Sequence, residues 1–533
     1  MADSSKRGRE PGSARILNAQ PEQAETAQAS ASRELQELYD RRHIGSDDAR
    51  PEAVQRRHRK HYRSARENLN DLIDVGSLVE YGQFAVAAQR QRRDYKELQR
   101  ETSGDGVITG LAKVNSQHFP DRRSQTAVVI YDYSVLAGTQ GYFNHAKIDR
   151  LLDVARRQNL PVVMYTEGGG GRPGDTDITT QIAGLNVPTF ANWASLTTGK
   201  PRIAVNNGYC FAGNAALFGA ADVRIATQAS NIGMAGPAMI EGGGLGSFAP
   251  TEIGPAAEQW KAGVIDLLVE DEAAATAMAK RILWYFQGDA VVGEVQPQHS
   301  LRSVLPEDRR WSYQVRDVLA TVFDEDSFTE LRRVYGRSVI TGLARLAGRT
   351  VGVLASDCQQ LGGAVDSDAS DKASRFLELC DRCSLPLISF VDTPGFMVGP
   401  ASEQQGAVDR MARLFQRGAT LQAPILAVFL RKAYGLGAMA LVGGSFAVPD
   451  FAVAWPTGEF GGMGLEGAVR LGFRKELEQE QDREKRQQLY DTLLAQLYEK
   501  GKALEAAAHL EIDGVIDPAE TRDQLIAALY HYA

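Results

Sequence analysis

The sequence contains a weak internal repeat, and this repeat restricts the possible folds more than any other feature. Pro161 precedes VVMYTEGGG, and Pro386, 225 residues later, precedes LISFVDTPG. Two more pairs of landmarks follow in the same order, 223 and 228 residues apart: Pro201 with Pro424, and Asp222 with Asp450. Because several landmarks share nearly one spacing, we predict two copies of one domain, joined near residues 290–335, where the chain becomes polar and charged.

From Gly106 onward, short β-branched runs alternate with amphipathic helical stretches. AVVIYDY, KIDRLLDVARRQ and LPVVMYTE follow one another in this order. Such alternation is typical of βαβ units in a mostly parallel sheet. We therefore predict the α/β class, with the two domains at residues 34–300 and 301–533.

The first 98 residues have a different character. Residues 1–33 are rich in Ser, Ala, Gln and charge but poor in large apolar groups, so we predict a disordered leader. From Ser32 to about Leu98 the pattern is helical and charged, which predicts a helical segment ahead of the first sheet. Its basic run, RRHRKHYR, is interpreted as a solvated helix face.

Composition excludes several classes of protein. A net charge of -8 argues against a nucleic-acid-binding surface. No apolar run approaches the roughly 20 residues of a membrane span, and the amino terminus lacks the apolar core of a signal peptide. Few cysteines favour a reducing cytoplasm, and the single Cys-x-x-Cys pair, without a histidine partner, favours buried thiols over a zinc or redox site. We predict no metal and a cytoplasmic location. The cysteines are Cys210, Cys358, Cys380 and Cys383.

Each half carries two glycine-rich turns that follow apolar strands. They are EGGGGRPG at 167–174, NGYCFAGNAALFGAAD at 207–222, DTPGF at 392–396 and YGLGAMALVGG at 434–444. The second turn of each half leads into a run of small apolar residues, so free N–H groups at a helix start should face a crevice. If an N–H from the first turn converges there, the pair forms an oxyanion hole, in which one donor contributes about 3 kcal/mol to lowering a barrier.

One such turn alone is more often tight helix–sheet packing, but four turns at equivalent positions favour a site. A covalent nucleophile is disfavoured, because Cys210 lies beside a turn while the next histidine in sequence is His299.

These residues resemble a known family. GYCFAGNAAL is similar to the oxyanion-hole segment of the ClpP/crotonase superfamily, and two crotonase-like domains in one chain resemble the carboxyltransferase (beta) subunit of biotin-dependent acyl-CoA carboxylases of the acetyl- or propionyl-CoA type. Further resemblance is carried by SARENLNDLIDVGSLVEYG, LGGAVDSDASDKASRFLELCDRCSLPLISFVDTPGF, RKAYGLGAMALVGG and VAWPTGEFGGMGLEGAV. The resemblance implies transfer of carboxylate from carboxybiotin to the α-carbon of a short acyl-CoA, with acyl-CoA on the amino-terminal domain and biotin on the carboxy-terminal domain of another subunit.

Carried over residue by residue, the resemblance implies two backbone holes. The first uses Ala212 and Gly213 with Gly171, and the second uses Gly437 and Ala438 with Phe396. One would stabilise a thioester enolate and the other the ureido oxygen of biotin, and the residues leave open which does which. No side-chain base is required, since the ureido anion left by carboxybiotin can take the α-proton.

The acyl pocket is less well defined by the sequence. The family's Tyr-Gly-Gly-Ala-Tyr corresponds to a stretch one residue longer here, from Tyr434 to Met439, and we place the acyl-pocket position at Ala440. Met234 and Met239 either line this pocket or fill the core. Acetyl- and propionyl-CoA are both compatible with the sequence.

The chain has no biotin-attachment sequence of the Ala-Met-Lys-Met type and no ATP-binding loop of the biotin carboxylase type. The resemblance therefore implies a partner with biotin carboxylase and biotin carboxyl carrier functions, and a homo-oligomer, commonly a hexamer. A biotin-dependent decarboxylase or transcarboxylase is the nearest alternative. A non-catalytic scaffold is the second.

Overall fold

A computed structural model describes residues 32–179 and 184–531. The predicted disordered leader therefore lies outside the described residues, apart from its last two. Ser32 caps the first helix by accepting a hydrogen bond from the Leu35 N–H, and that helix begins at Arg33.

The described residues form helices and strands in a regular order. The helices are α1 Arg33–Ile44, α2 Pro51–His58, α3 Ala65–Leu72, α4 Tyr95–Glu101, α5 Tyr142–Gln158, α6 Thr189–Ala194, α7 Gly213–Gly219, α8 Pro237–Gly242, α9 Ala256–Lys261, α10 Glu272–Phe286, α11 Val315–Val322, α12 Ser367–Arg382, α13 Pro400–Gln404, α14 Ala407–Thr420, α15 Gly435–Leu441, α16 Leu465–Gly472, α17 Arg474–Gln479, α18 Arg483–Lys500, α19 Ala503–Ala508 and α20 Thr521–Tyr530. Short 3-10 helices span Ser103–Gly106, Arg122–Ser124, Leu136–Gly138, Pro250–Glu252, Gln298–Ser303, Leu361–Gly363 and Pro518–Glu520.

The strands of the first half are β1 Val79–Tyr81, β2 Val107–Lys113, β3 Gln125–Tyr131, β4 Val162–Tyr165, β5 Arg202–Asn206, β6 Tyr209–Phe211, β7 Val223–Thr227, β8 Asn231–Gly233 and β9 Leu267–Val269. Those of the second half are β10 Thr329–Leu331, β11 Val339–Leu346, β12 Arg349–Ser356, β13 Leu387–Thr393, β14 Ile425–Tyr434, β15 Phe451–Ala454, β16 Glu459–Gly461 and β17 Gly514–Val515.

Each half builds one main sheet, and the two main sheets share a path of seven strands; in addition, β6 pairs with β8 in a separate two-stranded sheet of the first half, and β16 pairs with β14 in the second sheet. The first sheet has the order β1-β2-β3-β4-β5-β7-β9, in which β1, β2 and β3 are antiparallel and the later neighbours are parallel. The second has the order β10-β11-β12-β13-β14-β15-β17, again with three antiparallel strands and then parallel ones. The predicted duplication of an α/β domain is confirmed. An identical VITGLA stretch begins β2 and β11, a repeat that the sequence analysis missed.

The central strands are apolar on both faces because helices cover both sides of a parallel sheet. All four residues of β4 and all five of β5 are buried. One hydrophobic cluster extends from the first sheet, through the α10 side chains Ala279 and Leu283, to Val339 and Leu343 of β11. The two domains of one chain therefore share part of their core.

Helices α1 to α3 precede the first sheet as predicted, but the predicted helical segment also contains β1, the edge strand of that sheet, before α4. In the basic run of α2, Arg56 and Arg59 are exposed, in agreement with a solvated face. Arg57 is an exception, since its side chain is 11% exposed and turns inward. The four cysteines are buried free thiols, as predicted. Within the described ranges, no helix combines the length and apolar character needed to cross a membrane.

Candidate functional site

The first glycine-rich turn of each half begins with a buried, paired carboxylate. In the first half Arg57 donates hydrogen bonds of 2.8 and 2.7 Å to Glu167. In the second half Arg431 donates to Asp392, with the closest nitrogen 3.0 Å from an oxygen. Burial raises the pKa of Glu167, and the Arg57 charge opposes that rise. Both turns are thus anchored to the fold at an equivalent point, 225 residues apart.

In the second half, the two turns converge on one point. The Val365 N–H donates to the Gly395 carbonyl, and the Met397 N–H donates to the Val365 carbonyl. Phe396 lies between Gly395 and Met397 in the chain, and its N–H takes part in neither bond. A Cβ built on Gly437 would lie 2.7 Å from the Phe396 nitrogen. Neither the Phe396 N–H nor the Gly437 N–H donates a hydrogen bond to any residue that the structure describes. Only glycine permits this approach.

We call the Phe396 and Gly437 N–H groups the second hole. Gly437 is the third residue of α15, within the first turn, where N–H groups have no intrahelical acceptor. Ala438, also predicted for this hole, follows it and is buried.

The first half repeats the arrangement around Gly171. The Gln140 N–H donates to the Gly170 carbonyl at 2.7 Å, and the Arg172 N–H donates to the Gln140 carbonyl at 2.9 Å. Gly171 thus occupies the position of Phe396, and Gln140 that of Val365, each 225 residues earlier. Its N–H makes no hydrogen bond within the described part of the chain.

The second donor of this half is Gly213, the first residue of α7. A Cβ on the adjacent Gly170 would lie 3.7 Å from the Gly213 nitrogen, which places the two turns side by side. The Gly213 N–H also has no acceptor among residues 32–179 and 184–531. We call the Gly171 and Gly213 N–H groups the first hole.

Ala212 does not leave its N–H free, contrary to the sequence-based expectation. Its N–H donates to the Gly233 carbonyl at 3.0 Å. Strand β6 pairs in parallel with β8 as far as Phe211, which lies opposite Gly233. The Ala212 N–H adds one further hydrogen bond just beyond the end of β6. Ala212 has a φ of 51°, a conformation that lets the chain leave the strand and start α7. In this structure Gly213, rather than Ala212, supplies the helix-side donor.

An ionic network holds the first turn in place. The Arg172 side chain is 5% exposed, lies 2.5 Å from the fully buried Asp105 and donates to the Thr139 carbonyl at 2.9 Å. The Gly170 N–H donates to Asn214 Oδ1 at 3.0 Å, which ties the turn to α7. These contacts pre-organise the donors of the first hole.

Two of the predicted acyl-pocket residues lie at the surface and one lies in the core. Met234 and Met239 are 72% and 67% exposed, so the alternative that they fill the core is wrong. Met234 directly follows Gly233, whose carbonyl accepts the Ala212 N–H, and therefore lies near the first hole. Ala440 is 1% exposed within the main hydrophobic cluster of this chain, and its assignment to the acyl pocket stays a prediction. The neighbouring Met439 lines a cavity of about 300 Å³.

Three side chains that the structure describes near the holes, Cys210, Glu167 and Asp392, are not available as a free nucleophile or base. Cys210 is buried, and burial raises the pKa of its thiol to about 12, so it is not a thiolate at neutral pH. Glu167 and Asp392 are engaged by arginines. Sequence reasoning missed Arg57, Gln140 and Arg431. The two buried carboxylates could have been predicted from the sequence, because Glu167 and Asp392 are separated by 225 residues, which is the spacing of the repeat.

Comparison with known proteins gives a consistent result. Residues 56–533 match the protein family described as "Carboxyl transferase domain". The chain is 29% identical over 514 residues to the methylmalonyl-CoA carboxyltransferase 12S subunit of Propionibacterium freudenreichii subsp. shermanii, covering 94% of each chain. It is 30% identical to the biotin-dependent long chain acyl-coenzyme A carboxylase beta4 subunit of Mycobacterium tuberculosis, covering 92% of this chain and 93% of that one.

Solved structures agree with these relatives. A single-chain, multi-domain long-chain acyl-CoA carboxylase matches with a TM-score of 0.86 and 50% identity over 94% of this chain, which spans 49% of that longer protein. The transcarboxylase 12S hexamer, crystallised with methylmalonyl-coenzyme A and methylmalonic acid, matches with a TM-score of 0.82 and 27% identity, covering 94% of this chain and 96% of that one. The chain therefore belongs to the carboxyl transferase domain family, as a carboxyltransferase of the kind found in biotin-dependent acyl-CoA carboxylases.

Proposed function

We propose that this chain transfers carboxylate from carboxybiotin to the α-carbon of an acyl-CoA, with its two backbone holes binding two different carbonyl oxygens. The observation that carries the proposal is the pair of unsatisfied donor sets at duplicated positions. Gly171 with Gly213 forms one set, and Phe396 with Gly437 forms the other. One hole would stabilise the thioester oxygen as the enolate forms, and the other would stabilise the ureido oxygen of biotin.

The residues present fit a biotin-borne carboxyl group, because the reaction needs donors to oxygen rather than a base on the protein. Carboxybiotin supplies the carboxyl group and, once that group leaves, a ureido nitrogen that takes up the α-proton. The chain supplies fixed N–H dipoles and geometry. Glu167 and Asp392 are held in ion pairs with Arg57 and Arg431, which is consistent with a reaction that needs no base from the protein.

We further propose that the acyl group is long, in place of the acetyl or propionyl group first expected. Residues 234–248 form an exposed apolar segment that begins next to the first hole, and in it Met234, Met239, Leu245 and Phe248 are 72%, 67%, 75% and 44% exposed. So much exposed apolar surface in one segment is unusual unless something covers it. The 50% identity to a long-chain enzyme, against 28% to a propionyl-CoA carboxylase beta chain, supports the same choice.

The carboxylated biotin would come from a separate biotin carboxylase and carrier protein. We also propose a homo-hexamer, as described for the transcarboxylase 12S structure. In such an assembly the first hole of one subunit would face the second hole of another. The predicted cytoplasmic location and the absence of a metal requirement stay predictions.

The test is reconstitution with a biotinylated carrier, biotin carboxylase, ATP, bicarbonate and a panel of acyl-CoAs from acetyl to palmitoyl. We expect ATP-dependent formation of the carboxylated thioester, with the highest kcat/KM for long chains. Gly437→Val is the inactive control, since its side chain would occupy the second hole. Absence of product with every acyl-CoA would contradict the proposal.

A second candidate function is decarboxylation or transcarboxylation through the same holes. It is favoured by 28% identity to the methylmalonyl-CoA decarboxylase alpha subunit of Veillonella parvula and by the 12S relative. Both alternatives would transfer carboxylate from malonyl- or methylmalonyl-CoA to free biotin without ATP. Isotope exchange between these thioesters and free biotin also tests the scaffold alternative, which predicts none.

A further inference from the structure

A cavity of about 580 Å³ is lined by residues of both domains of one chain, and none of the four hole donors is among these lining residues. The first domain contributes residues of α7, β7 and β8, and the second contributes residues of α12. Its most unusual feature is its arginine content: Arg202, Arg224, Arg332, Arg375 and Arg382 line it.

The positive charges in this wall outnumber the carboxylates that pair with them. Arg202 and Arg382 share Asp222, while Arg224 and Arg332 share Asp266. Arg375 pairs with Asp371. The remaining acid of the lining, Glu378, pairs with Arg417 outside it. The cavity wall therefore carries uncompensated positive charge.

Arg332 is the arginine whose bonding is least complete. Its side chain is 9% exposed, and its Nε lies 2.7 Å from Asp266 Oδ1 but is not aligned for a hydrogen bond. Only its Nε takes part in that ion pair, and its two terminal nitrogens, which are not among the buried unpaired atoms, have no hydrogen-bond acceptor within the described residues. Burial lowers its pKa to about 10. Arg332 also has a φ of 52°, in the left-handed region that residues other than glycine rarely adopt.

Asp266 compensates part of the Arg332 charge, but the terminal nitrogens still have donors to offer, and an anion in the cavity would accept charge-assisted hydrogen bonds from them. Phosphate fits best, because its oxygens accept paired hydrogen bonds from arginine and its charge suits several guanidinium groups at once. The volume exceeds that of one phosphate and suits a small phosphorylated molecule. Two of these arginines also link the domains, because Arg382 pairs with Asp222 and Arg332 pairs with Asp266. These ion pairs leave the terminal nitrogens of Arg332 without acceptors within the described residues.

We propose that this interdomain cavity is a binding site for a phosphate group, held by Arg332 together with Arg224 and Arg375. Two sources share this chemistry. The group is either a phosphate of the acyl-CoA, which rests on the proposed function, or that of a separate phosphorylated ligand. Met234 lies in the cavity wall and also follows the Gly233 carbonyl next to the first hole, so a ligand extending from that hole would pass it.

The test measures binding of inorganic pyrophosphate, CoA and dephospho-CoA to the full chain by calorimetry, independently of catalysis. Arg332→Gln should weaken pyrophosphate binding at least tenfold. Arg333→Gln is the matched control, because Arg333 is adjacent and its side chain is 67% exposed. Arg375→Gln is a second variant, at a side chain that is 40% exposed, and it tests the site with Arg332 unchanged. Thermal unfolding establishes that each variant is folded.

The outcomes separate the two sources. If CoA is the source, Arg332→Gln weakens CoA binding tenfold and pyrophosphate competes with CoA. Dephospho-CoA then binds both proteins alike if the 3′-phosphate occupies the site, and is weakened as much as CoA if the diphosphate does. If the ligand is separate, pyrophosphate binds alongside CoA, and the KM for acyl-CoA is unchanged in Arg332→Gln. Equal pyrophosphate binding by wild type, Arg332→Gln and Arg375→Gln, or no binding by any, would overturn the proposal. An inactive enzyme that still binds pyrophosphate through Arg332 would count against the proposed function alone.

Discussion

The guanidinium of Arg57 forms two hydrogen bonds, of 2.8 and 2.7 Å, with the carboxylate of Glu167. This contact joins helix α2 to the first residue of the glycine-rich turn that contains Gly171. The two side chains are 11% and 6% exposed, so the pair is largely removed from water. The helical segment before the first sheet therefore supports the first hole directly.

Arg57→Met should leave Glu167 buried without its partner. Removing one member of a buried ion pair costs about 3–5 kcal/mol, so we expect a loss of that size in the free energy of unfolding, together with reduced activity. Chemical denaturation monitored by fluorescence measures the first effect. Arg56→Met, at the exposed neighbouring position, should change stability by less than about 0.5 kcal/mol. Similar losses in both variants would show that the ion pair is not the cause.

Gly437→Ala should reduce kcat more than Gly213→Ala. The added methyl group at Gly437 would lie 2.5 to 2.8 Å from backbone atoms of Gly395 and Phe396, which cannot move without displacing the turn. At Gly213 it would instead meet the Gln140 side chain, which can rotate away. Loss of one donor typically lowers kcat about 10²–10³-fold.

The control is Gly467→Ala, because Gly467 lies within α16 and has open space where a Cβ would be. It should retain normal kcat, and size-exclusion chromatography should show the same oligomer for all three variants. Near-normal turnover in Gly437→Ala would remove the second hole from the mechanism.

Lys372→Met should stabilise the protein, and most strongly at and below neutral pH. Lys372 is fully buried, its Nζ has no acceptor within the described residues, and burial lowers its pKa from 10.5 to about 7. Below about pH 7 the folded protein keeps a buried charge, at a cost on the order of 2–5 kcal/mol. Between pH 7 and 10.5 the unfolded chain binds more protons than the folded one, so wild-type stability rises with pH and the gain from Lys372→Met shrinks.

Lys147, 225 residues earlier, is the matched comparison. Its Nζ donates to the carbonyls of Gly104 and Val107. Lys147→Met should therefore be destabilising, since two buried carbonyl groups lose their donor. Urea unfolding of both variants at pH 7 and pH 10 tests the pair, and equal signs at pH 7 would contradict the argument.

Replacing both Met234 and Met239 by Ser should lower kcat/KM for palmitoyl-CoA more than for acetyl-CoA. The proposed contact with a long acyl chain buries apolar surface, worth about 25 cal/mol per Å², that a short acyl group does not reach. Val291→Ser, at a residue that is 94% exposed in the linker between domains, is the control and should leave both values unchanged. A parallel loss with both substrates would place the methionines outside the acyl site.

The duplicated fold could be predicted because it depends on patterns along the chain. The repeat at 225 residues and the alternation of β-branched runs with amphipathic helices identified two equivalent α/β domains, and the structure confirms them. The repeat also located the glycine-rich turns that contain Gly171, Gly213, Phe396 and Gly437, but the resemblance to a known family, rather than the pattern, named these residues as donors. Arg57 was missed because its partner Glu167 is 110 residues away, and nothing local to either residue indicates the pairing.

The sequence by itself determined the two sheets, the position of each glycine-rich turn and the small residues that let the turns approach each other. Only the tertiary structure decided which N–H groups stay free, which methionines are exposed and which arginine lacks acceptors. Ala212 illustrates the reason: its N–H is occupied because β8 brings the Gly233 carbonyl to 3.0 Å. Hydrogen-bond satisfaction is a property of the folded neighbourhood, and distant segments contribute as much to it as the residues next in sequence.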